Sequence, residues 1–273
     1  MPLKSKTSLR KNRPSEDEYD PVFMDVADVS RARSFLFYGR SGSGKTTLLG
    51  SFPKPLLVVD VKDEGTDSIV EVEDCQVTEV REWEDLDKLY FWLLKNPKKF
   101  KTVGIDTVTQ LQELCIVKVL KDKKKDTSNA GNWGSMTKQE WGQVAQLMKR
   151  VLIDWRDLPM EVVFLAQDRT FNVNEDDDSS DILMPEVGAR LSPSVAAALN
   201  AAVSVIGNTY IRLRQIKKRV EGKTIVKEKT EYCLRVGPSP IYTTKLRKPK
   251  GNVAPEFLVD PVYEDIIEVI KGE

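Results

Sequence analysis

Short apolar runs alternate along the chain with segments whose apolar residues recur at helical spacing. The runs at 34–38, 55–60, 102–106, 161–166 and 201–206 predict five buried strands. Helical spacing predicts helices over 84–94, over about 108–121 and in a long stretch that begins after Thr137. Because strands that alternate with helices usually form parallel sheets, we expect an α/β fold with a mostly parallel central sheet flanked by helices.

The pattern changes in the last quarter of the chain. Segments 209–218 and 224–235, joined by a turn that contains Gly222, predict an antiparallel hairpin, and 241–247 predicts one more strand. Asp260-Pro261 is expected to begin a final helix. The C-terminal part should therefore extend one edge of the sheet in antiparallel fashion.

The same pattern predicts the domain boundaries. Residues 1–22 are polar and charged, with no apolar period to bury, so we expect a flexible tail. One domain should cover 23–273, which is long enough for a sizeable core. Within it we expect a core over 34–207 and the antiparallel extension over 208–273.

Two long polar loops, 122–135 and 168–190, interrupt this core. Thr137 and Glu140 have the spacing of a capping box, so a helix should begin directly after the first loop. Ser192 before Pro193 is expected to cap the helix that follows the second loop.

Composition narrows the possible chemistry. The chain of 273 residues has no histidine, which excludes histidine-based metal sites, catalytic triads and imidazole bases. Three cysteines without a CxxC spacing are expected to be reduced thiols. Lys plus Arg and Asp plus Glu both number 42, so any contact with nucleic acid would have to come from local basic clusters. With no apolar window of membrane-spanning length and no secretion signal, we expect a cytoplasmic protein.

A glycine-rich segment directly follows the first predicted strand. Residues 39–46 read G-x-x-x-x-G-K-T, and the segment after them is helical. Glycines let such a loop fold back so that its backbone N–H groups face phosphates, while Lys45 reaches the β- and γ-oxygens. We expect a nucleoside triphosphate to bind here, although a plain surface turn is the alternative. The expected contact residues are Gly39, Ser41, Gly42, Ser43, Gly44, Lys45, Thr46 and Thr47.

A magnesium site is expected beside this loop. The Thr46 hydroxyl is a metal ligand in this motif, and a carboxylate at the end of another buried strand should assist it. Asp106, which ends the run 102–106, meets that requirement. The alternative is that Asp106 only caps the helix that follows. The sequence thus predicts a nucleoside triphosphate and Mg²⁺ as cofactors, and the choice of ATP over GTP rests on the missing N-K-x-D sequence and on family resemblance.

Hydrolysis needs a further group that orients water. Thr107 follows Asp106, so the adjacent acidic pair of AAA+ ATPases is missing. The chain also lacks the N-K-x-D sequence that is typical of a GTPase. The turn after the second predicted strand offers Glu64 as the catalytic carboxylate and Asp63 as a second candidate. A solvated acidic turn would explain both residues equally well.

Together these motifs resemble the RecA-like P-loop ATPase core over about residues 34–247. The turn Asp63-Glu64-Gly65, the run 101–109 and Trp133-Gly134 are most similar to phage-encoded nucleotide-binding proteins, which include Sak-type single-strand annealing recombinases. The resemblance implies that Gln167, at the end of the fourth strand, senses the γ-phosphate. It also implies that loops 122–135 and 168–190 bind single-stranded DNA, and that the protein acts in the host cytoplasm.

The two loops contain residue types that suit DNA binding as well as some that do not. Basic side chains suit phosphate contact and aromatic rings suit base stacking. The candidates are Lys123, Lys124, Lys125 and Trp133 in the first loop, and Arg169, Phe171 and Arg190 in the second. An acidic run over 175–181 in the second loop would repel DNA, Trp133 could equally pack beside a helix, and basic clusters are often ordinary surface.

Lys245 and Arg247 resemble the K-x-R pair that hexameric RecA-type helicases place on a neighbour's γ-phosphate. The resemblance implies a homo-oligomer, a ring or a filament, in which these residues act in trans. A basic strand end is the alternative. The leading functional expectation is a Mg·ATP-dependent, single-stranded DNA-binding recombination or annealing protein. An ATP-driven motor or loader and a nucleotide-gated interaction protein with little hydrolysis remain as alternatives.

Overall fold

The computed structural model describes residues 32–62, 65–125, 136–171, 185–220 and 223–272. The predicted tail over 1–22 lies outside these ranges. The strands are β1 (Ser34–Tyr38), β2 (Leu56–Asp60), β3 (Cys75–Glu79), β4 (Thr102–Asp106), β5 (Glu161–Ala166), β6 (Asp168–Phe171), β7 (Glu186–Ala189), β8 (Val205–Val220), β9 (Lys223–Arg235), β10 (Lys245–Leu246) and β11 (Phe257–Val259). The helices are α1 (Lys45–Gly50), α2 (Trp83–Lys95), α3 (Val108–Asp122), α4 (Lys138–Arg156), α5 (Pro193–Ala202) and α6 (Tyr263–Lys271), with a 3-10 helix at Gly65–Ile69.

One large sheet has the strand order β11-β9-β8-β1-β5-β4-β2-β3, with β10 paired to β8. From β8 to β3 every pair along this order is parallel, whereas β9, β10 and β11 pair antiparallel. The predicted α/β fold, mostly parallel with an antiparallel C-terminal extension, is thus confirmed.

Helices cover both faces of this sheet. Leu36 and Tyr38 of β1 belong to the core cluster that includes α2, α3, α4 and α5, while Phe35 and Phe37 belong to the cluster that includes α1 and α6. Successive residues of a strand point to opposite faces, and all five residues of β1 are buried. This arrangement explains why the central strands are continuous apolar runs, since each is buried on both sides.

The C-terminal extension begins differently from the prediction. The predicted fifth strand over 201–206 was wrong, because α5 continues through Ala202 and the strand begins at Val205. That strand, β8, then runs on for 16 residues, so it includes both the expected sheet strand and the first strand of the hairpin. It pairs with β9 in unbroken register from Asn208 to Val220.

The second polar loop is also more ordered than predicted. At its two ends, β6 and β7 pair antiparallel, with Asp168 opposite Ala189. Within the predicted strand 241–247, only Lys245–Leu246 is strand. In the described parts of the chain, no helix is long and apolar enough to cross a membrane.

The predicted capping box at the start of α4 is confirmed. Thr137 N–H donates to Glu140 Oε2 at 2.7 Å, and Glu140 N–H donates to the Thr137 hydroxyl at 3.3 Å. Lys125, at the end of the preceding described segment, lies 2.5 Å from Glu140 Oε1. The hydrogen bond from Lys125, followed by that from Thr137, lowers the pKa of Glu140 from 4.5 to about 2.

We predict that Glu140→Gln lowers the Tm at pH 7 by a few degrees, because the cap and the ion pair with Lys125 are both weakened. Because the pKa of Glu140 is lower in the folded chain than its ordinary value of 4.5, the carboxylate stabilises the fold when the pH is above 4.5. That contribution is lost as the pH falls towards about 2. The Tm difference from wild type should therefore shrink over this interval in thermal scans. Glu71→Gln, at an exposed carboxylate, is the control, and equal Tm values at pH 7 would contradict the prediction.

Candidate nucleotide-binding site

The phosphate loop, residues 39–46, connects β1 to α1. Gly42 and Gly44 have φ values of 76° and 87°, in the left-handed region that favours glycine. Lys45 is buried, and its Nζ donates to the carbonyl oxygens of Gly39 and Arg40, both at 2.9 Å. The ammonium group is thus held against the loop, where the motif requires a cation for phosphate oxygens.

Position 39 requires a glycine because the loop passes very close to β8 there. A Cβ atom at this position would lie 2.2 Å from Thr209 O and 2.4 Å from Thr209 Oγ1. The same Thr209 hydroxyl lies 2.7 Å from Ser43 Oγ, so β8 holds the loop at two points. Ser43 Oγ also lies 2.7 Å from Arg40 O, which helps to close the loop.

Thr46 and Asp106 meet across the carboxyl edge of the sheet. The Thr46 hydroxyl donates to Asp106 Oδ2 at 2.7 Å, although the two residues are 60 positions apart. A hydroxyl and a carboxylate are the protein ligands expected for Mg²⁺, with phosphates and water completing its coordination. The donor set at this position therefore fits the metal that the sequence predicts.

The residue that caps α3 is Thr107. Its side chain accepts a hydrogen bond from Gln110 N–H at 3.2 Å, and the peptide bond between Asp106 and Thr107 is cis. Asp106 is 5% exposed and is directed towards Thr46. Because Thr107 provides the cap, the contacts favour the metal-binding interpretation of Asp106 over the capping one.

A cavity of about 640 Å³ opens beside the loop, within the range of small-molecule sites. Its walls include every predicted contact residue of the loop from Ser41 to Thr47, together with Asp106. Further lining residues come from elsewhere in the chain: Leu48, Ser51, Gly65, Ser68, Thr209, Tyr232, Cys233, Asp260, Pro261 and Val262. Of the predicted loop residues, Gly39 is not among those that line the cavity, and its contacts with β8 are structural.

Glu64 and Asp63 lie outside the described residues. The neighbouring residue Gly65 lines the cavity, and a Cβ on it would lie 4.0 Å from the Thr46 hydroxyl. Asp60, at the end of β2, is paired with Asp106 in the register of the sheet. The two flanks of the predicted catalytic turn thus lie beside Thr46 and Asp106, the candidate metal ligands, while the role of Glu64 stays a prediction.

Gln167 follows β5 directly. Its N–H group donates to the Thr109 hydroxyl at 3.1 Å, and its side-chain oxygen accepts a hydrogen bond from Arg190 at 3.1 Å. A backbone hydrogen bond of 2.7 Å from Arg190 N–H to Gln167 O closes the base of the β6–β7 hairpin. On that hairpin the guanidinium of Arg169 lies 5.1 Å from the centre of the Phe171 ring.

The first predicted DNA loop is described only in part. Lys123 caps α3, Lys124 adopts a left-handed φ of 55°, and Lys125 is paired with Glu140. Trp133 and the acidic run over 175–181 lie outside the described residues. Lys123 and Lys124 are thus exposed and form no salt bridge with any described residue, whereas Lys125 is paired with Glu140.

Lys245 and Arg247 lie far from the chain's own phosphate loop. Lys245 Nζ donates to Asn200 O at 2.7 Å, and an Arg247 guanidinium nitrogen donates to Ala201 O at 3.1 Å. These carbonyls belong to the C-terminal turn of α5, where cations are favourable. Arg247 N–H bonds to Ser204 O, level with the start of β1, whereas the phosphate loop follows its end. Action on a neighbouring subunit stays a prediction.

Several lining residues carry no sequence signal. Thr209, Tyr232 and Asp260 are separated from the phosphate loop by more than 160 positions, and no motif marks them. Thr209 lies within the predicted hairpin strand 209–218 and Asp260 precedes the predicted last helix, so only their contacts in the fold bring them to the site.

Two comparisons with known proteins bear on this site. A family model described as an AAA domain matches residues 31–247. Since the match covers most of the chain, the chain belongs to the AAA domain family and is a P-loop NTPase-type domain. The comparison with curated proteins found no match. The narrower resemblance to Sak-type phage recombinases stays a prediction.

We predict that Gly39→Ala abolishes nucleotide binding and lowers the Tm by several degrees, because a Cβ cannot fit against Thr209 without moving the loop or β8. Gly142→Ala is the matched control, since a Cβ there meets nothing within 4 Å and alanine favours the helix. Calorimetric titration with Mg·ATP and thermal scans measure both effects. Wild-type affinity in Gly39→Ala would contradict this account of the loop.

Proposed function

We propose that the protein is a Mg·ATP-dependent, single-stranded DNA-binding ATPase that acts in phage recombination or strand annealing. The observation that carries the proposal is the pair of hydrogen bonds between Gln167 and Arg190. They connect the strand beside the phosphate loop to the β6–β7 hairpin, where the candidate DNA contacts Arg169 and Phe171 lie.

The nucleotide part of the proposal uses residues that are already adjacent. Lys45 and the loop N–H groups would hold the triphosphate, and Thr46 with Asp106 would hold Mg²⁺. The metal, when bound, neutralises charge on the phosphates. Glu64 would orient water, an assignment supported by the position of Gly65 beside Thr46.

Coupling to DNA would pass through the β6–β7 hairpin. This hairpin is hydrogen-bonded to the carboxyl ends of two strands. Gln167 at the end of β5 bonds to Arg190, and Tyr38 at the end of β1 bonds to β7. The Tyr38 hydroxyl lies 2.9 Å from Val187 O in β7. A change at the carboxyl ends of β1 and β5 on nucleotide binding would therefore act directly on the hairpin.

The proposal includes a homo-oligomer. Lys245 and Arg247 lie level with the start of β1, whereas their own phosphate loop follows its end. If they bind a γ-phosphate, it would therefore be that of a neighbouring subunit. Hydrolysis would then depend on assembly, and DNA could promote it by aligning subunits.

We predict that single-stranded DNA raises the steady-state rate of ATP hydrolysis several-fold, and that Lys45→Ala abolishes the activity with and without DNA. Lys45 is the cation that faces the phosphate loop, and its loss should remove phosphate binding. Hydrolysis that is absent or indifferent to DNA would overturn the proposal and favour a nucleotide-gated interaction protein. Strand unwinding in a helicase assay would instead favour a motor.

A second variant tests the coupling. We predict that Gln167→Ala removes the stimulation by DNA while the affinity for Mg·ATP stays within about twofold, because Gln167 lies outside the cavity wall but bonds to Arg190. Gln146→Ala, at an exposed position of α4, is the matched control and should keep full stimulation. Unchanged stimulation in Gln167→Ala would contradict the proposed path.

A further inference from the structure

The cavity beside the phosphate loop has a second wall that the triphosphate does not use. Lys45, Thr46 and Asp106 account for phosphate and metal, but the lining also includes Tyr232 of β9 and the segment Asp260-Pro261-Val262 before α6. These residues belong to the antiparallel extension, and no motif assigns them a role.

The ring of Tyr232 lies directly against the phosphate loop. A Cβ atom on Gly44 would be 3.2 Å from Tyr232 Cδ1 and 3.7 Å from Cγ, so the ring lies beside the loop at this glycine. Yet 45% of Tyr232 remains exposed. An aromatic ring is thus held beside the phosphate site with much of its surface uncovered.

Hydrogen bonds fix this ring's backbone to the segment before α6. Asp260 N–H donates to Tyr232 O at 2.6 Å, and Tyr232 N–H donates to Asp260 Oδ1 at 3.0 Å. Asp260 has a left-handed φ of 48°, which Asp tolerates better than most residues. The reciprocal pair joins Tyr232 and Asp260 in one wall of the cavity.

The second wall is attached to the far end of α1. Tyr263 N–H donates at 2.9 Å to the hydroxyl of Ser51, which lies just beyond the last residue of α1. The bond from Thr46 to Asp106 lies instead near the first residue of α1. With about 1.5 Å of rise per residue, the five positions from Thr46 to Ser51 span about 7.5 Å. The cavity therefore extends along α1, away from the metal ligands.

We infer that Tyr232, Pro261 and Val262 form the nucleoside subsite of this cavity, in which the Tyr232 ring contacts the face of the nucleobase. The inference rests on the proposed binding of Mg·ATP at the phosphate loop. Nucleobases have a π-face that stacks on aromatic rings, and the apolar surfaces of Pro261 and Val262 suit the edge of a base or the ribose. The C-terminal extension thus completes a site that the core begins.

A comparison of inorganic tripolyphosphate with ATP distinguishes the contributions of the two walls to binding, because only ATP carries a nucleoside. In calorimetric titrations of the full chain with Mg²⁺, wild type should bind ATP at least tenfold more tightly than tripolyphosphate. Tyr232→Ala should lower the affinity for ATP about tenfold and leave the affinity for tripolyphosphate unchanged. Tyr232→Phe should retain wild-type ATP affinity, since the ring carries the contact. Phe91→Ala, at an exposed aromatic residue of α2, is the control.

Two results would overturn the inference while the phosphate site stands. One is an unchanged ATP affinity in Tyr232→Ala. The other is an equal loss for ATP and tripolyphosphate, which would mean that the ring supports the Gly44 backbone rather than a base. Tripolyphosphate binding that Lys45→Ala does not weaken would instead contradict the proposed function, so the two failures are distinguishable.

Discussion

The position of β5 between β1 and β4 is the constraint on which the site depends. The phosphate loop follows β1, Asp106 ends β4, and β5 lies between these two strands in the sheet. Thr46 must therefore reach Asp106 over the carboxyl end of β5, and the 2.7 Å hydrogen bond between them closes this gap. The same arrangement puts Gln167, the residue after β5, between the two.

A second constraint comes from the antiparallel extension. Gly39 has no room for a Cβ because Thr209 of β8 occupies that space, and Tyr232 of β9 lies against Gly44. Both long strands thus contact the phosphate loop before they continue into the hairpin. The extension consequently lines the cavity beside the phosphate loop as well as forming the sheet edge, and a movement of the loop would displace β8 and β9.

The sequence predicts the parts of the site that depend on local pattern. A strand buried on both faces is a continuous apolar run, as in β1, β4 and β5, and a loop that folds back on phosphates needs glycine at set positions. These rules locate Lys45, Thr46 and Asp106, whereas Gln167 is a candidate only through the resemblance to RecA-like ATPases. The family match over 31–247 agrees with that reading of the core as a P-loop domain.

Parts that depend on distant contacts could not be predicted. β3 is partly exposed along its whole length, so it has no apolar run to mark it. The continuity of β8 was missed because Gly207 and Asn208 are typical of a turn, whereas Gly207 is there because a Cβ would lie 2.6 Å from Leu234. Tyr232 and Asp260 reach the cavity only through the pairing of β8 with β9 and of β9 with β11.

A structure of the protein with Mg²⁺ and a non-hydrolysable ATP analogue tests the central claim most directly. The account predicts phosphate oxygens within hydrogen-bond distance of Lys45 Nζ and the metal ion on the Thr46 hydroxyl, with Asp106 nearby. An analogue bound elsewhere, or a metal ion that contacts neither Thr46 nor Asp106, would contradict it.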